Sequence, residues 1–313
     1  MQNTESEIKL ITYPRSVTQA ETLLALSDYL VIGEDSFSMR LATSFSRAEQ
    51  AQLIKLAHKA GKQVVIALNA MLHNRDIKAL EEDYLPFILE QGADAILTGD
   101  PGIVLICRAQ NLPLEIIWDT QTLNTSSGNL NFWAGQGVTA AILAAELPEA
   151  ELRALLPKLK LTPLIQVYGA VGAQVSGRHL LSAYFDASGK ERLDSGPDFP
   201  FAMQSDEPGS GPYSLYEDIR GTQIFADQDL NLLPVAPELY QLGLRHWTLP
   251  SLFVDVDAYV EIAACFREAA DAIVQGSWTE DSGRALSGQV ISLHPVERQL
   301  GLGFYALDPR TIV

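Results

Sequence analysis

The stretch Leu53–Asn69, LIKLAHKAGKQVVIALN, decides the fold. Its first half spaces Leu53, Ile54, Leu56 and Ala57 along one face of a helix. The helix pattern stops at Gly61, where a C-terminal cap needs left-handed dihedrals that glycine adopts without a Cβ penalty. An aliphatic, β-branched run, Val64–Leu68, follows at once and reads as a buried strand. The same order recurs in ILEQGADAILTGD (88–100), FWAGQGVTAAILAAEL (132–147) and LYQLGLRHWTLP (239–250), with Gly92, Gly137 and Gly243 at the stops. Helices that end on glycine and feed short apolar runs describe a parallel sheet with crossover helices.

Working outward, the pattern predicts strands at Lys9–Thr12, Tyr29–Gly33, Val64–Leu68, Ala95–Thr98, Glu115–Trp118, Ala140–Ala144, Leu164–Tyr168 and His246–Leu249. Helices are expected at Val17–Leu26, Arg47–Ala60, Ile77–Gln91, Ile103–Gln110, Ser127–Gln136, Pro148–Leu159, Pro234–Leu242 and Val256–Gln275. Eight strand–helix pairs suit a closed α/β barrel of the (β/α)8, TIM-like type. An open doubly wound sheet is the alternative, and the lack of a strand–GxGxxG–helix unit weighs against its dinucleotide-binding form. Between Gly169 and Gly221 the rhythm breaks into SGKERLDSGPDFPF and SDEPGSGPYS, which reads as a loop or hairpin insertion after the seventh strand. The domain reading is therefore a barrel over residues 1–276, insertion 169–221 included, with 277–313 as a C-terminal extension. Runs such as QVISLH and LGLGFYAL make that extension an appended strand pair or a partner-binding tail.

Of 313 residues, 47% are hydrophobic, enough for a sizeable core. The N-terminal MQNTESEIKL has no basic segment leading into an apolar run, and no run approaches the roughly 20 residues that span a bilayer, so a cytoplasmic protein is expected. The formal net charge of −17 and the absence of Lys/Arg runs argue against tight nucleic-acid binding by this chain alone. Two cysteines, Cys107 and Cys265, lie far apart within apolar helical patterns and read as buried small hydrophobes.

In a barrel the C-terminal strand ends share one mouth, and polar residues gather there. Asn69, His73 and Asn74 follow the third strand, Asp100 the fourth, Asp119, Thr120, Gln121 and Asn124 the fifth, and Glu146 the sixth. Converging carboxylates and amides suit a small-molecule site. Asp100, before Pro101 and Gly102, serves equally well as a helix cap. Gln121 and Glu146 are less natural caps, which points them toward a site. His73 is a candidate base, a metal ligand or a polar loop residue, while His58 and His246 read as structural. HExxH, CxxC, GxSxG and P-loop patterns are absent, so no nucleophile or metal site is defined.

Those strand ends carry a resemblance. VIALNAMLHNRDIKALEEDYLPFILEQGADAILTGDPGIVLICR (65–108), WDTQTLNTSSGNLNFWAGQG (118–137) and AILAAEL (141–147) resemble the U32, or collagenase-like peptidase, family over roughly Ile8 to Val254. The resemblance implies a barrel. It also implies activities divided between members named as proteases and members that hydroxylate tRNA wobble uridine, ribosomal RNA or the ubiquinone ring. The family signature sets an acid and two cysteines around a Gly-Ala frame. Here LIQVYGAVGAQVSGRHLLS (164–182) keeps Gly169, Ala170, Val171, Gly177, Leu181 and Ser182. Leu164 stands for the acid, and Gly172 and His179 stand at the cysteine positions. SGPDFPFAMQ (195–204) lacks a further cysteine pair. Pro250, Ser251 and Leu252 replace the usual Glu-Gly-Arg, and Ala145 replaces an arginine before Glu146. The resemblance thus implies a copy without thiolates for an iron–sulfur cluster, and no cofactor is expected.

Three functions follow as expectations. The first is a cluster-less subunit beside a longer, cysteine-bearing paralogue in wobble-uridine hydroxylation. It would reach tRNA only through that partner, offer a pocket for a small carboxylic acid and sit away from membranes; self-association is the alternative assembly. The second is a hydrolase using water assisted by Asp100, Asp119, Glu146 or His73. The third is a non-catalytic binding barrel.

Overall fold

The computed structural model describes residues 7–120, 123–204 and 211–311. Strand β1 (Lys9–Thr12) is followed by α1 (Val17–Leu23), β2 (Tyr29–Ile32) by α2 (Arg47–Lys59), and β3 (Gln63–Ala67) by α3 (Asn74–Ala79) and α4 (Leu85–Gln91). Then come β4 (Ala95–Thr98) with α5 (Pro101–Ala109), β5 (Glu115–Trp118) with α6 (Ser127–Ala134), and β6 (Ala140–Ile142) with α7 (Glu149–Leu155). After β7 (Thr162–Gln166) the chain forms β8 (Tyr168–Gly169), β9 (Gly172–Ser176), α8 (Leu180–Ser188), β10 (Phe201–Met203), β11 (Tyr213–Asp218), β12 (Gly221–Phe225), β13 (Gln228–Asn231) and α9 (Ala236–Gln241). The eighth barrel strand, β14 (His246–Leu249), leads into α10 (Val256–Gln275), α11 (Glu280–Leu293) and β15 (Gln299–Gly301).

Eight parallel strands close in the order β1-β14-β7-β6-β5-β4-β3-β2. Alternation along each strand explains the near-continuous apolar runs, because both faces are covered. Ile11, Val31, Val65, Ala95, Ile117 and Leu164 fill the barrel interior, while Leu10, Leu30, Val64, Ile66 and Ile96 pack outward against the helices. Val65 sits between Val31 and Ala95 in register, so one interior layer is built from small and branched side chains. Each such fully buried aliphatic side chain contributes roughly 1.5–3 kcal/mol.

Several expected elements shift. The helix expected at Ile77–Gln91 starts at Asn74 and is broken by a π-helical turn, Leu80–Tyr84. That turn rotates Tyr84 inward, where its hydroxyl donates to Gln50 Oε1 at 2.6 Å and its ring stacks on Phe37 at 4.9 Å. The seventh strand ends at Gln166, two residues before its expected end at Tyr168, because the chain turns at the mouth and Tyr168–Gly169 pair antiparallel with β13 instead. Gly169 has φ +92, and a Cβ there would stand 2.5 Å from the Pro250 carbonyl oxygen, so glycine permits this close approach.

The insertion contains the expected hairpin, β11–β12, and extends it. It is a four-stranded antiparallel sheet in the order β10-β11-β12-β9, with α8 alongside. Tyr216 and Phe225 from this sheet bury against Ala170 and Leu252, which lays it over the barrel mouth. Glu217 pins the start of α8, accepting from the backbone N–H groups of Leu181 and Ser182 and from the hydroxyls of Ser182 and Thr222.

The C-terminal segment differs from expectation too. Most of it is α11, whose buried stripe of Gly283, Leu286 and Val290 recurs at helical spacing, and only β15 is strand, parallel to β13. It folds back on its own chain. Arg298 pairs with the fully buried Asp229, and Tyr168 Oη lies 2.8 Å from His294 Nδ1. Among the described residues no helix is long and apolar enough to cross a membrane.

Candidate functional site

The mouth of the barrel holds a cavity of about 90 Å³, and an outer groove of about 580 Å³ lies beside it under β9. Met39, Arg40, Asn69, Asp119 and Gly172 line both. Strand ends β3 and β5 supply Asn69 and Asp119, the loop after β2 supplies Met39 and Arg40, and the inserted sheet supplies Gly172. Gly99 lets the ends of β4 and β5 meet: a Cβ there would stand 2.4 Å from the Asp119 carbonyl oxygen.

The sequence-predicted residues separate in the structure. Asn69, Asp119 and Glu146 line the inner cavity, and Asp100 lines the outer groove with Thr120. Asn69 is oriented by its neighbour, since Met39 N–H donates to Asn69 Oδ1 at 3.0 Å and turns the amide nitrogen elsewhere. Asp100 does act as the cap of α5, accepting from Gly102 N–H at 2.7 Å, while still lining the groove. Glu146 is exposed at the rim.

Asn124 lines neither space. It is fully buried, donates to the carbonyls of Trp118 (3.2 Å) and Ile142 (2.8 Å), and accepts from Thr120 Oγ1 (2.8 Å). Its role is to tie the ends of β5 and β6 together. His73 starts α3 on the exposed surface, outside both linings. Gln121 lies outside the described residues.

Sequence reading passed over Arg40, Tyr13, Gln166 and Thr248, all of which line the cavity. Gln166 Nε2 is committed to the carbonyls of Tyr168, Gly169 and Ala170 and so holds the turn after β7. Arg40 has φ +62, uncommon for a residue with a Cβ. Its Nε donates to Gln223 Oε1 at 3.1 Å and its guanidinium lies 5.8 Å from the Phe225 ring centre. Burial pushes the Arg40 guanidinium below the usual arginine range, with Asp119 pulling the other way. Burial, then the Asp119 charge, raises the Tyr13 hydroxyl well above the ordinary tyrosine range. The only sequence signal for Arg40 is a single cation within SFSMRLATS, the segment after the second strand.

An iron–sulfur cluster, as the resemblance suggested for cysteine-bearing members, does not fit the donors present. Cys107 and Cys265 are buried in α5 and α10, and burial raises both thiols to about 11, against the thiolate form a cluster needs. Gly172 offers no side-chain ligand, and Leu164 is barrel core. His179, at the start of α8, is more than half exposed and has its Nδ1 3.9 Å from Glu217 Oε2, beyond hydrogen-bond range. Among the described residues no three His, Cys, Asp or Glu side chains converge to hold a metal ion.

The chain is similar to known proteins along nearly its whole length. It is 28% identical to tRNA hydroxylation protein P2 of Bacillus subtilis (strain 168), covering 95% of this chain and 97% of that protein. To tRNA hydroxylation protein P1 of the same strain it is 24% identical, over 82% of this chain and 63% of that longer protein. The solved structure of a U32 peptidase superposes with a TM-score of 0.51 at 13% identity, over 80% of this chain and 95% of that one, and supports the fold alone. The model of peptidase family U32 matches residues 16–312, and this chain belongs to that family.

Proposed function

We propose that this protein is a cluster-less subunit that acts with a longer U32-family paralogue in hydroxylating the wobble uridine of tRNA, in the cytoplasm. The observation that carries this reading is the end-to-end match with a protein named for tRNA hydroxylation, 95% of one chain against 97% of the other. The weaker match to a longer protein of the same name series, over 63% of its length, supports a division of labour between a short and a long member. The donor set agrees: with two buried cysteines, this chain supplies scaffold and pocket rather than a redox centre. Its net charge of −17 leaves phosphate binding to the partner. The polar mouth suits a small carboxylic acid as the ligand this subunit holds.

Deleting the gene in its native host and measuring 5-hydroxyuridine in digested tRNA by mass spectrometry tests the reading. Loss of the nucleoside, restored by the wild-type chain, is expected, together with recovery of a longer family member on affinity-tagged bait. Unchanged 5-hydroxyuridine in the deletion strain overturns it.

A further inference from the structure

A groove of about 700 Å³ lies away from the barrel mouth, where the inserted sheet, the start of α10 and the C-terminal segment meet. It shares no lining residue with the mouth cavity or with the groove beside that cavity. Its volume falls within the roughly 300–1,000 Å³ of ordinary ligand sites. One wall is β10 with the turn before it. This strand is the last of its sheet: one edge pairs with β11, and among the described residues no strand pairs with the other. Pro200 and the three-residue length guard the edge against open-ended aggregation, but the charged side chains that usually complete such protection are missing, since residues 199–203 read FPFAM. Apolar side chains stand in water there instead. Phe199, on the lining, is 75% exposed, and Val296, between the lining residues Pro295 and Glu297, is 94% exposed. Grouped exposed apolar side chains mark binding surfaces. The charges are lopsided as well. Arg15 and Arg298 line the groove, but Arg15 is paired with Asp198 and Arg298 with Asp229. Asp255 and Glu297 line it too, so four carboxylates stand against two guanidiniums.

We propose that this groove docks an extended, basic segment of a partner protein. The segment adds as a strand to the open edge of β10, sets its apolar side chains against Phe199 and Phe253, and directs lysine or arginine toward Asp255 and Glu297. The inference goes beyond the subunit reading and does not rest on it. In strand addition, main-chain hydrogen bonds supply affinity and the flanking side-chain pockets supply specificity. The far wall is already in place: Arg298 lies 4.5 Å from the Phe253 ring centre and is held there by Asp229, so little has to be ordered on binding. A second copy of this chain, with its net charge of −17, is disfavoured as the occupant by like-charge repulsion.

The test is a fluorescent heptapeptide of alternating lysine and valine, titrated with the purified full chain at about 0.15 M salt. Anisotropy is expected to show saturable binding. Exchanging the lysines for glutamate, or N-methylating the backbone nitrogens while keeping the side chains, should weaken binding about tenfold or more. Glu297→Lys and Phe199→Ser, both at exposed positions, should weaken it severalfold without unfolding the protein. Hydrogen exchange should slow at one or more β10 amides at saturation, a readout that needs no variant. Absence of saturable binding, equal binding of the glutamate or methylated peptide, or saturation with unaltered exchange in β10 overturns the proposal. So does protection of β10 that grows with protein concentration in the absence of peptide, which would assign the edge to a second copy. None of these measurements involves tRNA or a paralogue, so failure here leaves the subunit reading standing.

Discussion

Arg298 and Arg40 flank one aromatic pair, Phe253 and Phe225, whose rings meet edge to face at 4.9 Å. The first lies where the C-terminal segment closes on the inserted sheet, the second at the barrel mouth. Arg298 is fully provided for: it pairs with Asp229, which has no side-chain exposure, donates to Ser214 and covers Phe253. Arg40 has a neutral amide, a ring whose centre lies 5.8 Å away, the Asp119 charge and a terminal nitrogen with no acceptor. The difference separates a fully satisfied clasp from a guanidinium with a donor left over. A buried charge whose donors are all satisfied holds elements together, whereas Arg40 keeps one buried donor that this chain leaves without an acceptor.

Breaking the clasp should have the largest effect. Asp229→Ala leaves Arg298 buried and unpaired and is expected to destabilise the protein by about 3–5 kcal/mol in urea denaturation; a loss below about 1 kcal/mol would mean Arg298 finds water instead. Next comes Asn124→Ala, which strips a fully buried amide from two carbonyls and a hydroxyl and should cost about 1–3 kcal/mol by the same measurement. That outcome would show that the mouth, too, contains fully partnered polar groups, and that Asn124 belongs with the scaffold.

Arg40→Met should move stability by no more than about 1 kcal/mol in either direction, because it removes an unsatisfied donor along with the charge. A destabilisation as large as that of Asp229→Ala would erase the contrast between the two arginines. The smallest effect is expected from pH, and it has opposite signs in two aspartates. For Asp229, burial would raise the carboxyl, but the Arg298 hydrogen bonds and the adjacent His294 ring, 3.4 Å away, hold it below the usual range. Its contribution is present above the unfolded value of about 3.9 and is lost as pH falls through the lower folded value. For Asp218, burial raises the carboxyl despite a hydrogen bond from the Arg220 backbone. The folded state keeps that proton longer, so its contribution declines as pH rises from about 3.9 through the raised value. Urea midpoints between about pH 3 and 6 should therefore fall less steeply on acidification in Asp229→Asn, and decline less with rising pH in Asp218→Asn; parallel profiles for all three proteins would remove the distinction.

The barrel was legible because local signals agreed. Helices stopping at Gly61, Gly92, Gly137 and Gly243, each followed by an apolar run, put strands within two residues of their observed starts. In the insertion, β11 and β12 are short alternating runs between Gly, Pro and Ser clusters, and their apolar residues acquire a core only by meeting Ala170 and Leu252. In the C-terminal segment, QVISLH reads as a strand in isolation, yet it belongs to α11 because Leu286 and Val290 bury against the rest of the molecule.

The sequence by itself determined the ring of strands, the polar rim that brings Asn69, Asp100, Asp119 and Glu146 to one end, and the lack of thiolates for a cluster. Periodicity and composition are local properties of the chain, and they survive without knowledge of contacts. Only the tertiary structure decided that Asn124 is scaffold, that His73 faces outward, and that Arg40 is buried with a hydrogen-bond donor left over. Those outcomes depend on which distant groups a side chain meets: Ile142 for Asn124, Gln223 and Phe225 for Arg40. Satisfaction of a buried polar atom is a property of the folded neighbourhood, and no spacing of residues along the chain encodes it.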